Sequence, residues 1–180
     1  CAPFSVSADL LRESAALARA RGVRLHTHLA ETLDEERYTL ERFGVRPVEW
    51  MDGLGWVAGD VWFAHAVHVN EAEIARSARA GCGVAHCPSS NLFLGSGLMA
   101  WRTLEDAGVA VSLASDVGGG TSLSMQRTMA DGYKVQALAG TKLTAWALLH
   151  AATRGAANAL GLGHEIGSLE GGATADLCVR

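Results

Sequence analysis

Residues 24–31, Arg24-Leu25-His26-Thr27-His28-Leu29-Ala30-Glu31, hold two histidines two positions apart and a carboxylate three positions after the second. The apolar approach to His26 predicts a β-strand, in which His26 and His28 share one face because side chains alternate along a strand. Glu31 then falls just beyond the strand, where the chain turns into its next helix. A histidine at a strand end with a carboxylate close by is typical of a metal site in which a general acid/base activates water.

Strands and helices alternate along the rest of the chain. Apolar runs predict strands at 23–28, 61–65, 83–86 and 109–114. Helical periodicity and capping signals predict helices at 7–21, 32–43, 46–54, 70–80, 98–107, 122–139, 143–152 and 156–160. This order predicts an α/β fold that forms the later half of a (β/α)8 TIM-type barrel. A flavodoxin-like open sheet is the alternative.

A polar residue that can take part in chemistry lies at or just after the end of each predicted strand. These residues are His28, His65, His86 and Asp116. Functional groups of a barrel sit at the carboxyl ends of its strands, so we expect these segments to converge at one rim. A carboxylate such as Asp116 must be paired, hydrogen-bonded or metal-bound when it follows an apolar strand. Any one of the histidines taken singly fits a buried structural role as well.

Two neighbouring motifs allow more than one interpretation. Cys87 fits a thiolate ligand or a nucleophile, but no cationic neighbour is visible in the sequence, which favours a packed thiol. The run Gly118-Gly119-Gly120 before a helix fits a phosphate cradle, but no P-loop lysine accompanies it. Close approach of the backbone to a flat ligand is the favoured interpretation of these glycines.

The composition limits the class of protein. The 180 residues are 49% hydrophobic and 19% charged, with a net charge of −4. This length supports a sizeable core, and neither nucleic acid nor a membrane is expected as a partner. The four cysteines form no CxxC pair, which predicts free thiols in a reducing cytoplasm.

The two ends of the sequence predict a fragment of a longer protein. The chain starts at Cys1 without a methionine and stops at Arg180 inside a predicted strand. Residues 163–180 change character, because glycines there separate two short β-like pieces. We expect a partial metal-dependent hydrolase barrel over residues 1–162 and the beginning of return strands to a small β-domain over 163–180.

Four stretches, taken together and in this order, carry a family resemblance. They are His26-Thr27-His28-Leu29-Ala30-Glu31, Ala64-His65-Ala66-Val67-His68, His86-Cys87-Pro88-Ser89-Ser90-Asn91 and Ser115-Asp116. The chain resembles the amidohydrolase superfamily, and specifically its purine and triazine deaminase branch. Residues 91–97, 115–122 and 125–129 are similar to guanine deaminases, whereas residues 2–7 and 41–44 are similar to 8-oxoguanine deaminases. Guanine deaminases usually carry a Pro-Arg-Phe whose arginine helps hold the purine, but Phe4 follows Pro3 directly here.

The resemblance implies metal-dependent hydrolytic deamination of guanine to xanthine and ammonia, a step of purine catabolism. By this resemblance His28 is a zinc ligand, and His65 is a ligand or a polariser of the attacking water. Asp116 is a ligand that also accepts a proton, and Glu31 is the proton shuttle. Iron is accepted by the same histidine and carboxylate donors. Two further ligands, a His-x-His on the opening barrel strand, are not in this chain, and the pair at 26 and 28 is not that motif.

Other functions stay open at this point. An 8-oxoguanine deaminase, or a related aminopurine or triazine amidohydrolase, is the second enzyme reading. A barrel fragment without turnover, which folds poorly or binds a partner, is the alternative of another class. The resemblance also implies a homodimer for the full-length protein, and it puts His86 and Asn91 near the pocket without assigning them a role.

Overall fold

A computed structural model describes residues 2–177, which form a four-stranded parallel β-sheet accompanied by helices. The strands are β1 (Leu25–Leu29), β2 (Val61–His65), β3 (Gly83–His86) and β4 (Ala110–Leu113). The helices are α1 (Ala8–Ala20), α2 (Leu33–Phe43), α3 (Pro47–Gly53), α4 (Glu71–Ala80), α5 (Pro88–Leu94), α6 (Trp101–Asp106), α7 (Met125–Leu138), α8 (Ala145–Ala152) and α9 (Arg154–Ala159). A short 3-10 helix at Pro3–Ser5 precedes them.

The order of the strands in the sheet follows the order in the sequence, β1-β2-β3-β4, and each neighbouring pair is parallel. A doubly wound sheet reverses its strand order at a switch point, whereas the wall of a barrel does not. The α/β barrel prediction is therefore confirmed, and the flavodoxin-like alternative is wrong. Leu29 pairs with His65 in the register of β1 and β2, so these two strands end level with each other.

Two hydrophobic clusters cover the sheet. The first packs α1 and α3 against β1 and β2, with Met51 and Phe63 among its fully buried side chains. The second packs α6 and α8 against β3 and β4 around Leu104 and Leu148. All five residues of β2 are buried, as its continuous apolar run predicts for a strand covered on both faces.

Local sequence signals account for most helix boundaries. Ser7, Thr32 and Asn70 cap α1, α2 and α4 by accepting a backbone N–H, and Gly44 and Gly81 end α2 and α4 in the left-handed conformation. The helix predicted at 98–107 begins at residue 101, and the one predicted at 122–139 begins at residue 125. The short helix α5 was not predicted.

The last described residues lack the strands that the sequence predicts. Residues 163–177 form turns and bends, and the rest of the predicted β-like piece, Cys178 and Val179, lies outside the described residues. A β-domain beginning at 163 therefore stays a prediction. None of the described helices is long and apolar enough to cross a membrane.

Candidate functional site

The sheet brings three potential metal ligands together at the carboxyl ends of its strands. His28 lies in β1, His65 ends β2, and Asp116 follows β4 by three residues. One ligand atom from each of these side chains lies within 4.8 Å of the others. Parallel strands end at the same edge of a sheet, which explains why residues so distant in sequence meet here.

The imidazole of His65 is the buried centre of this group. Its Nε2 lies 3.5 Å from Oε2 of Glu31 and 4.0 Å from Oδ2 of Asp116. The ring of His28 meets it edge-on, with 5.1 Å between ring centroids. Burial lowers the pKa of His65, although Glu31 and Asp116 act in the opposite direction. Burial therefore favours the neutral form of the ring.

Glu31 is held in place by contacts on both sides of its side chain. Ser96 donates its hydroxyl to Oε1 of Glu31 at 2.9 Å, which leaves Oε2 on the side of His65. The backbone N–H of Glu31 donates to Oε2 of Glu35 at 3.1 Å. Burial raises the pKa of Glu35 to about 7. A carboxylate fixed beside a neutral imidazole and a second carboxylate is suited to moving a proton.

The loop that carries Ser96 is itself tied to a buried ion-pair network. His68 contacts the carbonyl oxygen of Ser96 through Nε2 at 2.7 Å, and Arg46 donates to the carbonyl oxygen of His68 at 2.8 Å. Arg46 also pairs with Glu36 and with the buried Glu73. A continuous chain of hydrogen bonds therefore leads from this network to Glu31.

Two other histidines, His26 and His86, lie outside the three-ligand group. Nδ1 of His26 lies 3.1 Å from the carbonyl oxygen of Trp62, and His26 is not part of the three-ligand group. His86 is fully buried between helices, where its Nε2 lies 3.3 Å from Nε2 of Gln136 in α7. Its ring packs edge-on against Trp101 in α6. The resemblance puts His86 near the pocket without a role, and its contacts with Gln136 and Trp101 are those of a packed side chain.

The helix α5 supplies a residue whose role the sequence left open. Asn91 is 1% exposed, and its Nδ2 lies 3.0 Å from Nδ1 of His65. Nothing in the local pattern identifies Asn91 or Ser96 as site residues, because their partners lie 26 and 65 positions away in the sequence. The one sequence signal for α5 is Pro88, because proline is favourable at the first position of a helix.

Gly119 and Gly120, two of the three glycines after Asp116, lie close to neighbouring atoms. A Cβ on Gly119 would lie 2.6 Å from Oγ of Ser90 and 3.2 Å from Oδ2 of Asp116. The hydroxyl groups of Ser89 and Thr121 form a hydrogen bond at 2.8 Å between α5 and the segment that follows the glycines. The backbone therefore approaches α5 and the carboxylate of Asp116 closely, and glycine permits that approach.

Cys87 does not carry the properties of a nucleophile. Its side chain is buried, and burial raises the pKa of the thiol to about 12. The neighbouring Asp116 acts in the same direction. The thiol is therefore held in its protonated form, in agreement with the packed-thiol interpretation.

The three converging side chains fit a transition-metal ion. Two imidazole nitrogens and a carboxylate oxygen are the donor types that zinc and iron accept, and these three atoms are grouped closely enough that they could hold one ion. A group of this kind fits a metal-assisted hydrolysis in which Glu31 is the acid/base.

Comparison with known proteins agrees with this geometry. The sequence model described as "Amidohydrolase family" matches residues 2–180. The 8-oxoguanine deaminase of Pseudomonas aeruginosa is 43% identical over 182 residues, which is 99% of this chain and 40% of the relative. The guanine deaminase structure from E. coli superposes with a TM-score of 0.89 and 32% identity, covering 94% of this chain and 40% of that one. An adenosine deaminase structure from Xanthomonas campestris with bound zinc superposes with a TM-score of 0.91 and 34% identity. The match covers 97% of this chain and 41% of that one. The chain thus spans about 40% of the length of these relatives.

Proposed function

This chain belongs to the amidohydrolase family and to its purine and triazine deaminase branch, and from that premise we propose that the protein hydrolytically deaminates guanine. The products are xanthine and ammonia. The convergence of His28, His65 and Asp116 beside Glu31 is the observation that carries the proposal. The amino group of guanine is on C2, so the reaction needs a nucleophilic water, a base for its proton and an acid for the ring nitrogen.

His28 and Asp116 would hold the metal in this chain, and His65 would be either a third ligand or a hydrogen-bond donor beside it. Zinc is the proposed ion rather than iron, because a solved relative that is 34% identical contains zinc. A zinc ion in such a site lowers the pKa of water toward neutrality, which makes a nucleophile available at pH 7. Further ligands are proposed to come from a part of the protein outside this chain.

Glu31 and Asp116 divide the proton transfers. Asp116 accepts one proton of the attacking water, and the protonated Glu31 donates its proton to the ring nitrogen next to C2. Glu31 then takes the proton of the hydroxyl group on C2 and passes it to the leaving amine, and the proton held by Asp116 returns to Glu31. The hydrogen bond from Ser96 fixes the far oxygen of Glu31, so the near oxygen is free for this exchange. The reaction leaves both carboxyl groups in their starting states after ammonia departs.

His65 can serve the reaction in one of two ways. Its Nε2 is the ring nitrogen on the side of Glu31 and Asp116, because its Nδ1 is in contact with Asn91. Through Nε2 it either binds the metal or donates a hydrogen bond to the oxygen of the tetrahedral intermediate. One nitrogen cannot do both, so the two roles exclude each other.

8-Oxoguanine is the second candidate substrate. It shares with guanine the 2-amino-6-oxo ring that is attacked, and a relative that is 43% identical is an 8-oxoguanine deaminase. The absence of an arginine between Pro3 and Phe4 also favours it. The ring of Phe4 instead stacks on Trp50, with 5.6 Å between centroids.

Ammonia release by the purified protein tests the proposal. Guanine, 8-oxoguanine, adenosine and a chlorinated or aminated triazine would be compared at equal concentration, with bound zinc measured in the same preparation. We expect the highest kcat/KM for guanine or 8-oxoguanine. Metal-loaded protein that releases ammonia from none of the four would overturn the proposal in favour of a barrel without turnover.

The variant Glu31→Gln tests the assigned chemistry. It keeps the shape of the side chain but cannot act as the acid, so we expect unchanged zinc content and a fall in kcat of about 100-fold or more. Glu71→Gln is the matched control, because Glu71 is an exposed carboxylate at the start of α4. Full turnover in Glu31→Gln would contradict the role of Glu31.

We also propose a cytoplasmic location and a homodimeric assembly for the protein. Free buried thiols at Cys82 and Cys87 support a reducing cytoplasm. A homodimer, and a small β-domain that begins at residue 163, are proposed from the family resemblance. Size-exclusion chromatography with light scattering measures the oligomeric state directly.

A further inference from the structure

The nitrogen of His65 that faces away from the site is held by a buried amide. Nδ2 of Asn91 lies 3.0 Å from Nδ1 of His65, and both side chains are 1% exposed. We propose that Asn91 is a positioning residue that fixes the imidazole of His65 in the tautomer with its proton on Nε2. The catalytic consequence of this inference rests on the proposed function, whereas the tautomer itself does not.

The chemistry of the two groups determines where the proton lies. The side-chain nitrogen of an asparagine is a donor and cannot accept, so Nδ1 of His65 must be the acceptor. A neutral imidazole carries one N–H, and that proton is then on Nε2. A second observation favours the same tautomer, because Nε2 lies 3.5 Å from the carboxylate of Glu31 and 4.0 Å from that of Asp116. Negative charge on that side stabilises an N–H directed toward it.

Asn91 is poorly explained as a residue that stabilises the fold. Its Oδ1 is buried and has no hydrogen-bond partner among the described residues. An unsatisfied buried acceptor costs about 1–3 kcal/mol, so an apolar residue would serve packing better. The backbone of Asn91 is fixed on both sides, because its N–H donates to Cys87 and its carbonyl oxygen accepts from Ser96, each at 2.9 Å. The side chain is therefore held in position to contact His65.

This tautomer assigns one of the two possible roles to His65. A protonated Nε2 has no lone pair to give to a metal, so it acts as a hydrogen-bond donor toward the reacting centre. A donor placed in advance where negative charge develops in the transition state is worth about 100-fold to 1000-fold in kcat. His28 and Asp116 are then the metal ligands of this chain, and His65 stabilises the oxygen of the tetrahedral intermediate.

The variant Asn91→Asp keeps the shape of the side chain but replaces the hydrogen-bond donor that faces His65 by an acceptor. A carboxylate accepts and cannot donate, so it draws the imidazole proton to Nδ1 and leaves the lone pair on Nε2. We expect Nε2–H in the wild-type protein and Nδ1–H in Asn91→Asp, read from two-bond 1H–15N correlation spectra of histidine-labelled, metal-free protein. The His65→Gln variant assigns the signal. Ser90→Ala is the matched control, because Oγ of Ser90 is a buried atom of the same helix without a partner among the described residues.

Zinc content and kinetics give two further measurements. If His65 is a donor, His65→Gln keeps the zinc content of the wild type, whereas loss of zinc would overturn the inference. Asn91→Asp is expected to lower kcat by about 100-fold with a smaller change in KM. A wild-type spectrum with Nδ1–H overturns the inference even if Asn91→Asp does not fold. Nε2–H in a protein that releases no ammonia contradicts the proposed function and leaves the role of Asn91 in setting the tautomer intact.

Discussion

Replacing Glu73 by glutamine tests the ion-pair network that supports the site. Glu73 is 3% exposed and receives a charge-assisted hydrogen bond from Nε of Arg46 at 2.7 Å. It also accepts the backbone N–H groups of Val48 and Asn70, each at 3.0 Å. Glutamine preserves the shape and one acceptor oxygen, but it removes the charge that faces Arg46.

The expected loss lies between the values for exposed and buried ion pairs. Breaking a fully buried pair costs about 3–5 kcal/mol, whereas an exposed pair is worth about 0–1 kcal/mol. The side chain of Arg46 is 23% exposed and keeps Glu36 as a partner, so water and that carboxylate offset part of the loss. We therefore expect Glu73→Gln to lower the free energy of unfolding by about 2 kcal/mol. This corresponds to a fall in Tm of about 4–8 °C for a chain of this size.

Urea unfolding followed by tryptophan fluorescence measures this change. The midpoint should fall while the slope m stays constant, because the surface exposed on unfolding is unchanged. Glu71→Gln, on the exposed side of the same helix, is expected to change stability by less than about 0.5 kcal/mol. Equal stability of the two variants would refute the argument that the Glu73 contacts stabilise the fold.

Two further variants test the metal site and the Glu35 carboxyl group. Asp116→Asn removes an anionic ligand, so the zinc content should fall while the far-UV circular dichroism spectrum stays that of the wild type; undiminished zinc would remove Asp116 from the ligand set. Burial raises the pKa of Glu35 from its usual 4.5 to about 7, so the folded state binds this proton more tightly than the unfolded chain does. The contribution of Glu35 to the free energy of unfolding is therefore fully present below pH 4.5 and is lost as the pH rises to about 7. The unfolding free energy of the wild type minus that of Glu35→Gln should decline across that interval. A constant difference in unfolding free energy across it would contradict the raised pKa.

The strands and their polar ends were predictable from the sequence because the signals are local. An apolar run followed by a histidine or an aspartate identifies a strand and its end without knowledge of the partners. The helix α5 was not predicted because a proline directly after an apolar strand also fits the end of that strand, whereas here Pro88 is the first residue of a helix. A seven-residue helix without a long apolar period gives little other indication of itself.

The face that each strand-end residue presents was harder to predict. His65 and His86 both end an apolar strand, yet His65 joins the site and His86 packs beneath α6 and α7. Side chains alternate along a strand, so a shift of one residue at the strand end reverses the direction of the side chain. Which direction holds depends on backbone angles at the turn, and those angles follow from contacts between segments far apart in the sequence.

The backbone angles at the strand ends give the physical reason that the ligands converge. Among the described residues, the non-glycine positions with positive φ are Ala30 at 50°, His65 at 73°, Ala66 at 47° and Asp116 at 47°. All four follow or end β1, β2 and β4, and each such conformation costs about 1–2 kcal/mol for a residue with a Cβ. Hydrogen bonds between neighbouring loops retain them, since Ala66 donates to Leu29 at 3.0 Å and His68 donates to Ala30 at 2.9 Å. Glycine would relieve the strain at His65 and Asp116 but would remove the imidazole and the carboxylate. The fold thus accepts strain at His65 and Asp116, two residues whose side chains join the candidate site, which is the pattern expected when the geometry of a site is retained for its chemistry.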